Sequence, residues 1–487
     1  MVHLQRHFFL AALTVGIAVR PAIVRAASVA DEWAKLDAAY AGDLEQLAAW
    51  CDQHQLAAEA RQTRAWHVER DPRKLYVFVL PDSLAVPAGT ENSDRSQWWE
   101  QFTKLRRTQA DALYALAGKA LEAHRLALAY EWIRETVREW PDHERARAVL
   151  GFEKHDGRWV TPYAARRLNS GQVLDDRYGW LPAADVARYE RGERNYRGTW
   201  LSAEKDASLH LPIKNGWRIE TEHFVVTTNH SLEAGVRLAN KLERLNDIWR
   251  TIFVTYYMYE GELAKRYRGD ALPRHESKHQ VVLYRSRDEY NSALKPAQPM
   301  IGVTLGYYWF ENHTAYFFVD AAADDATLWH EATHQLFQES RTSVRDLGSK
   351  SNFWVVEAVA LYMESLESHD GYSTLGGANE GRMPIALTRL LKDDFYVPLG
   401  EVTSFGRDTL QHHPRLATLY TEFAGLANFF MHSGGDRYRQ PLIDYLIAVY
   451  SGRAEPDTLA KLTGASYDKL DQQYREYMND LAGRKRL

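Results

Sequence analysis

Cysteine is almost absent from this chain, since Cys51 is the only one among 487 residues. A single cysteine excludes an internal disulfide, and it also excludes a zinc site built from several thiolates. Any metal ion must therefore be held by histidine, aspartate or glutamate side chains. The chain has 19 histidines from which such a site can be built.

The chain also lacks an excess of positive charge. Its formal net charge is −5 at pH 7, and no basic stripe stands out along the sequence. The short basic end, GRKRL, is typical of a solvated terminus. Because nucleic acids attract proteins through clustered lysine and arginine, the composition argues against a nucleic-acid partner. The content of 45% hydrophobic and 26% charged residues is ordinary for a globular protein.

Long hydrophobic runs are absent except near the start, where residues 8–19 read FFLAALTVGIAV. This run follows a basic start and precedes the small residues of VRAASVA, which is the order of a cleaved secretory signal. It is short for a membrane span. We expect residues 1–26 to be removed after Ala26, which leaves an exported periplasmic or secreted protein without a stable membrane span. The alternative is an N-terminal anchor helix, favoured by Arg20 and Arg25 just after the run.

Residues 27–150 carry a helical pattern. Apolar residues recur at helical spacing in DALYALAGKALE and again in YEWIRETV, before Pro141. This pair of helices, which ends in WPDHERARAVLGF, resembles a tetratricopeptide-type (TPR-like) hairpin, although only one copy is clear. Two interpretations remain: an α-hairpin that props up the next domain, or a surface that binds a protein partner.

A tryptophan repeat characterises residues 151–216. Trp159, Trp180, Trp200 and Trp217 recur in GRWVTP, YGWLPA, RGTWLSA and NGWRIE. Each unit predicts a turn that leads into a short strand with a buried ring. We expect a small β module whose core contains these rings. The alternative is a carbohydrate- or peptide-binding surface made by the same rings.

The rest of the chain predicts an α+β layout. Within residues 217–340, HFVVTTN and QVVLYR predict strands, and GVTLGYYWF-ENH-TAYFFVD predicts a hairpin. SLEAGVRLANKLERLNDIWRTIF predicts a helix capped by its first serine. TAYFFVD is expected at the edge of a small mixed sheet. After Asp325 the pattern is helical to the end of the chain, so residues 341–487 are expected to form a helix bundle.

The stretch WHEATHQLF places His330, Glu331 and His334 in one amphipathic helix. Histidines four residues apart leave the same face of a helix about one turn apart, where both imidazoles can bind one Zn²⁺. Glu331 points about 100° away, within reach of a water but not as a metal ligand. Taken alone, the motif also fits two solvent-facing histidines on a core helix.

Glu357 provides a third candidate ligand. It is the only charged residue in SNFWVVEAVALYM, residues 351–363, which predicts a mostly buried helix. A buried carboxylate without a partner is costly, and a divalent cation is a natural partner for it. His330, His334 and Glu357 would then leave a fourth position for water. The alternative partner for Glu357 is a neighbouring arginine or lysine.

HEATH followed by WVVEAVALY resembles the gluzincin metallopeptidases, the thermolysin-like and peptidase MA-like group. Within that group the chain is similar to a set of exported bacterial proteins of uncharacterised function that share HEATHQL and W-x-x-E. The resemblance covers about residues 217–480. It implies a zincin-like fold with zinc ligands at His330, His334 and Glu357, and with Glu331 as general base.

Two positions depart from the pattern of that group. Ala358 stands where a glycine usually follows the third ligand. Leu361 stands four residues beyond the third ligand, where the thermolysin-like enzymes have an acidic residue. Because that acid orients a metal-bound histidine, the orientation must come from elsewhere in this chain.

The resemblance implies zinc-dependent hydrolysis of a peptide or protein substrate. Zinc lowers the pKa of water and polarises the scissile carbonyl, and Glu331 moves the water's proton to the leaving amine. A tyrosine or histidine from the C-terminal helices is expected to stabilise the oxyanion. Tyr420, in LATLYTEFAGLANFF, is the candidate, with His412 and His413 as rivals. Packing inside an amphipathic helix is the other interpretation of Tyr420.

Two further expectations concern binding. An extended substrate is expected to add to TAYFFVD as a strand. The competing function is a non-catalytic exported binding or scaffold protein on a zincin fold, in which the helical hairpin and the tryptophan repeats carry the function. Glu331 argues against this alternative, because a purely structural zinc site has no use for a general base.

Overall fold

The computed structural model describes residues 19–84, 86, 93–270, 277–319, 325–435 and 437–484. Most of the expected signal segment, residues 1–18, lies outside the described residues. The structure is 58% helix and 14% strand with small sheets, which makes it a mixed α+β protein. It divides into two compact units, one made of Met1–His67 and Ala85–Ala146 and the other of Val68–Leu84 and Arg147–Leu487.

The first unit is built from helices. They are α1 (Val19–Gln53), α2 (Ala57–Trp66), α3 (Ser93–Glu122) and α4 (Leu126–Glu139). Trp98 and Phe102 of α3 stack with ring centroids 5.6 Å apart and form the centre of an aromatic cluster. The two helices expected from sequence are α3 and α4, which pack on each other across a short connection.

The segment after α2 contradicts the expectation that residues 27–150 are helical throughout. Lys74–Phe78 forms a strand, β1, and belongs to the second unit. Its sequence, KLYVF, is rich in aromatic and β-branched residues and lies between Pro72 and Pro81. These features favour an extended conformation over a helix. Helix α5 (Glu144–Leu150) then spans the boundary between the two units.

The tryptophan repeat forms three hairpins, each followed by a short helix. The elements are β2 (Glu153–His155), β3 (Arg158–Val160), α6 (Pro162–Asn169), β4 (Gln172–Asp175), β5 (Gly179–Pro182), α7 (Val186–Glu190), β6 (Glu193–Tyr196), β7 (Thr199–Ser202) and α8 (Ala203–His210). The expected strands at the tryptophans are confirmed, because each hairpin carries its tryptophan on the second strand. Trp159 is buried, whereas Trp180 and Trp200 are half-buried. The expectation that every ring is buried is therefore wrong for Trp180 and Trp200.

A five-stranded mixed sheet and its helices follow. They are β8 (Trp217–Glu220), β9 (Phe224–Thr228), α9 (Leu232–Ile252), α10 (Val254–Tyr257), α11 (Glu260–Arg268), β10 (His279–Tyr284), α12 (Arg287–Leu294), β11 (Gly306–Trp309), β12 (Thr314–Phe318) and α13 (Asp325–Glu339). The strand order is β11-β12-β10-β9-β8. β9, β10 and β12 are parallel, and the two outer strands are antiparallel to their neighbours. The serine cap of α9 is confirmed, since the Ser231 side chain accepts a hydrogen bond from the Ala234 N–H.

The expected edge position of TAYFFVD is wrong. This segment forms β12, which lies between β10 and β11, so the edge strand is β11. Ala315, Phe317 and Phe318 of β12 are buried, as suits an inner strand with neighbours on both sides. The hairpin turn places β11 outside it, and β11 borders the candidate site.

The rest of the second unit contains α14 (Trp354–Met363), β13 (Glu367–His369), β14 (Tyr372–Gly376), α15 (Met383–Leu391), α16 (Leu399–Val402), α17 (Arg407–Gln411), α18 (Leu416–His432), α19 (Arg439–Tyr450), α20 (Thr458–Thr463) and α21 (Tyr467–Arg484). The expectation of helix alone after Asp325 is wrong at β13 and β14, which form a three-stranded sheet with β1 in the order β1-β14-β13. Gly371 turns the hairpin with a φ of 79°.

One large apolar core joins the mixed sheet to these helices. It contains Phe224 of β9, Trp249 of α9, Leu336 of α13, Trp354 of α14 and Phe430 of α18. Across the segments that the structure describes, no helix is both long enough and apolar enough to cross a membrane.

Candidate metal centre

Helix α13 presents two histidines to one side while its apolar stripe is buried. Leu328, Ala332 and Leu336 have relative exposures of 8%, 0% and 0%, so they fix the rotation of the helix against the core. His330 and His334 lie one turn apart on another face, with their Nε2 atoms 3.2 Å apart. The common face expected for the two histidines is therefore confirmed.

Glu357 of α14 completes a triangle with the two histidines. Its Oε2 lies 3.5 Å from His330 Nε2 and 3.8 Å from His334 Nε2. A tetrahedral ion with bonds of 2.0–2.1 Å holds its ligand atoms about 3.3 Å from one another. The three separations therefore match those of ligands that converge on one metal ion, and these residues could hold a divalent cation.

The alternative partner for Glu357 is not found. In the described part of the chain its ion-pair contacts are with His330 and His334, and no lysine or arginine pairs with it. Glu357 is only 8% exposed, in a helix that is buried along its whole length. A carboxylate buried in this way needs compensation, which the two imidazoles and a metal ion can provide.

The three ligand candidates influence one another's protonation. Burial acts to raise the pKa of Glu357, but the hydrogen bond from His330 and the nearby His334 lower it to about 2. Burial acts to lower the pKa of His330, but hydrogen bonds to Glu357 and Glu364 raise it to about 10. The pKa of His334 is lowered, chiefly by burial. The site therefore keeps Glu357 ionised over a wide pH range, whereas a metal ion must displace a proton from His330 in order to bind it.

Glu364 orients His330. Its Oε1 lies 2.9 Å from His330 Nδ1, on the opposite side of the ring from the Nε2 that faces Glu357. Arg382 holds the same carboxylate through Nε and Nη2, at 2.7 and 3.1 Å. Burial acts to raise the pKa of Glu364, but the hydrogen bonds to His330 and Arg382 lower it. Glu364 thus fixes the ring so that Nε2 faces the ligand triangle.

Sequence reasoning missed Glu364, although a signal was present. Leu361, at the position where the resembled family has its acid, is 1% exposed and belongs to the core. Glu364 lies seven residues beyond Glu357, which is two helical turns along the same face. It is also the first residue after the apolar stretch 351–363, so its spacing to Glu357 was available from the sequence.

Glu331 lies beside the triangle and is held by the edge strand. Its Oε2 accepts a hydrogen bond of 2.9 Å from the backbone N–H of Tyr308 in β11. Gly306, two residues earlier, brings the strand so close that a Cβ atom there would lie 3.1 Å from Glu331 Cγ. The Tyr308 hydroxyl also donates to Glu339, at the end of α13, over 3.1 Å. Strand β11 and helix α13 are therefore fixed to each other at two points.

A cavity of about 520 Å³ opens over these residues. Its lining combines the ligand triangle with Glu331, Glu364, Tyr420, two arginines and part of β11, as follows: Gly306, Tyr307, Tyr308, His330, Glu331, His334, Glu357, Glu364, Arg382, Arg407 and Tyr420. All of these residues belong to the second unit. The cavity can therefore admit a substrate to the candidate metal site.

Tyr420 is the candidate oxyanion donor that the structure brings to the site. Its hydroxyl is hydrogen-bonded to Glu357, and burial together with the Glu357 charge raises its pKa well above the ordinary value. The phenol is thus a proton donor throughout the neutral range. His412 and His413 do not line the cavity, and the ring of His412 is instead bonded to the Asp408 carbonyl.

A scan of the chain against protein-family models gives no match, and a search of curated proteins gives none either.

Proposed function

We propose that this protein is an exported zinc metallopeptidase of the gluzincin type, with a zincin-like fold. The observation that carries the proposal is the convergence of His330, His334 and Glu357, spaced as ligands of one ion, beside Glu331 in an open cavity. A purely structural zinc site is closed by four protein ligands. Here three ligands face a cavity, which leaves a position for water and substrate.

Each residue of the site has a separate role in the proposed reaction. Zinc, when bound by His330, His334 and Glu357, would lower the pKa of water and polarise the scissile carbonyl. Glu331 accepts the proton of the attacking water and delivers it to the leaving amine. The Tyr308 N–H fixes the position of the Glu331 carboxylate. Tyr420 donates its hydroxyl proton in a hydrogen bond to the developing oxyanion.

The edge strand β11 is the proposed docking site for the substrate backbone. Strand β12, which was expected to have this role, is an inner strand. An extended peptide can pair only with a free edge, and β11 lies beside Glu331 at the cavity wall. The substrate class proposed is therefore a peptide or an extended protein segment.

Metal analysis together with a peptide screen tests the proposal. The purified mature protein is expected to contain about one zinc per chain and to cleave members of a broad peptide library, with loss of cleavage on chelation and recovery on addition of zinc. His334→Ala and Glu357→Ala should each lose zinc, whereas His412→Ala, on an exposed histidine, should keep it. Full zinc content in both ligand variants would contradict the assigned ligand set.

Two expectations from the sequence stay predictions. Export requires the removal of residues 1–26, and N-terminal sequencing of the mature protein should begin at Ala27. Mature protein that begins at Met1 would contradict export by this signal. A protein partner for the helical region, residues 27–150, is the second such prediction.

A further inference from the structure

Arg407 is held in the cavity wall by contacts that leave one end of its guanidinium group free. Its Nη2 donates to the Leu347 carbonyl over 2.8 Å, and its backbone N–H donates to the Gly348 carbonyl over 2.8 Å. The guanidinium carbon lies 5.3 Å from the centre of the Phe310 ring and 5.2 Å from that of the Phe353 ring. These contacts fix the side chain before any ligand arrives.

The charge of Arg407 has no acidic partner among the described residues. Within the described segments its Nε is buried without a hydrogen-bond acceptor, and no hydrogen bond engages its Nη1. Arg382, the other arginine of the cavity, differs in this respect, because Glu364 takes two of its hydrogen bonds. The cavity therefore contains one arginine that is neutralised and one that is not.

The positive charge of the unpaired Arg407 offsets the negative charge of the carboxylates around it. Glu331 and Glu357 line the same cavity, and the exposed Glu311 lies at its rim. An anionic substrate would be repelled by these carboxylates unless a cation received its charge. A guanidinium flanked by aromatic rings is weakly hydrated, so it exchanges water for a carboxylate at low cost.

We propose that Arg407 binds a carboxylate of the substrate and makes the enzyme selective for peptides that carry one in the cavity. The inference rests on the proposed peptidase function and specifies its substrate class. The carboxylate has two sources, an aspartate or glutamate side chain near the scissile bond or the C-terminal carboxylate of a short peptide. Nη1 is the donor left for it, in a charge-assisted hydrogen bond.

The test compares matched peptides on zinc-loaded protein. One set replaces glutamate by glutamine at each position of a hexapeptide in turn, and a second set replaces the free C-terminal carboxylate by an amide. Cleavage is measured with the parent protein, and binding is measured with Glu331→Gln, in which turnover is slow. Peptides with the preferred carboxylate should bind and react at least about tenfold better than their neutral partners. If glutamate is preferred over glutamine in the first set, the bound carboxylate is a side chain. If the free C-terminus is preferred over the amide in the second set, the bound carboxylate is the C-terminal one.

Two variants of Arg407 test whether this side chain causes the preference for carboxylate-bearing peptides. Arg407→Met keeps an unbranched side chain between the two rings but removes the charge, so the preference should disappear while zinc content is unchanged. Arg407→Lys keeps the charge and should retain part of the preference, which serves as the control if the methionine variant folds poorly. Arg415→Met removes an exposed arginine that stacks on Phe395 outside the cavity, and it should leave the preference intact.

The outcomes separate this inference from the peptidase proposal. Cleavage without a carboxylate preference, or with a preference that survives in Arg407→Met, overturns the inference and leaves the peptidase proposal standing. Carboxylate peptides that bind in an Arg407-dependent manner but are never cleaved overturn the peptidase proposal and support the binding role. If none of the peptides is bound or cleaved, both are wrong.

Discussion

Three glutamates surround the two histidines of α13, and their different partners separate their roles. Glu357 faces both imidazoles, Glu364 lies between His330 and Arg382, and Glu331 accepts the Tyr308 N–H. Only Glu357 points its carboxylate at both Nε2 atoms. The contacts of each carboxylate thus separate the proposed metal ligand Glu357 from the orienting residue Glu364 and from the proposed general base Glu331.

Glu364→Gln tests the orienting role. Glutamine keeps the length of the side chain but removes the charge that holds both His330 and Arg382, so we expect zinc affinity to fall about 10–100-fold. Competition with a chelator of known affinity measures this change. Glu455→Gln, on an exposed glutamate away from the cavity, is the matched control and should bind zinc as the parent does. Unchanged zinc affinity in Glu364→Gln would show that His330 is oriented by other contacts.

Tyr420→Phe tests the oxyanion donor. Loss of one such donor should lower kcat about 10²-fold, while the phenyl ring keeps the packing of the side chain. Zinc content should be unchanged, because Tyr420 contacts Glu357 but is not one of the three converging ligands. His413→Ala is the matched control and should keep the parent kcat. If Tyr420→Phe turns over at the parent rate, the donor role must pass to another group.

The sequence was more informative about the proposed metal ligands than about the residues around them. His330, His334 and Glu357 follow from a four-residue spacing and from one charge in an apolar helix. Arg407 and the Tyr308 N–H carry no such pattern, because they reach the cavity from the first residue of the short helix α17 and from the edge of strand β11. Side chains and backbone groups that meet only through tertiary structure leave no local spacing to detect.

At the scale of elements, the site depends on the contact between β11 and α13. Gly306 permits this contact, since a Cβ atom there would lie 3.0 Å from the Phe317 ring and 3.1 Å from Glu331 Cγ. These distances are shorter than comfortable van der Waals contacts, so a methyl group must displace the strand or the side chain of Glu331, the proposed general base.

Gly306→Ala should therefore lower kcat/KM about tenfold and the free energy of unfolding by about 1 kcal/mol, with zinc content unchanged. Peptide hydrolysis and denaturant unfolding measure the two effects. Gly302→Ala is the matched control, because a Cβ atom at Gly302 meets nothing within 4 Å. Equal losses in both variants would mean that the close approach of β11 has no special role.

Elements set by local signals were predictable, and elements set by distant partners were not. The Ser231 cap and the apolar periodicity after it specify α9 within a single stretch of sequence. β1 pairs instead with β14, for example Lys74 with Gly376, so its partner lies about 300 residues away. No local pattern announces such a pairing. Strands β13 and β14 form a local hairpin instead, and the Asp370-Gly371 turn between them was a signal that the sequence reading overlooked.

At the scale of the whole molecule, the core contains an acid whose charge opposes folding at neutral pH. Glu422 of α18 is 4% exposed, and burial raises its pKa from 4.5 to about 8, although the Val397 N–H donates to it. The folded protein therefore binds this proton more tightly than the unfolded chain does. The contribution to stability is full below pH 4.5 and is lost as the pH rises towards 8.

Glu422→Gln should remove this pH dependence. Relative to the parent, its free energy of unfolding should gain roughly 3 kcal/mol between pH 5 and pH 8. Urea denaturation of both proteins across that range measures the difference. Glu476→Gln, on an exposed glutamate of α21, should follow the parent at every pH. A constant difference between Glu422→Gln and the parent would mean that Glu422 has an ordinary pKa.

The most direct test of the proposed metallopeptidase is the rate of peptide hydrolysis by Glu331→Gln at equal zinc content. Glutamine keeps the size of the side chain and its oxygen can still accept the Tyr308 N–H, but it cannot take a proton from water. If Glu331 is the general base, this variant should fold normally, keep near-normal zinc occupancy and hydrolyse the peptide at least about 10²-fold more slowly. Hydrolysis of the same peptide at the parent rate would contradict a metallopeptidase mechanism with Glu331 as general base.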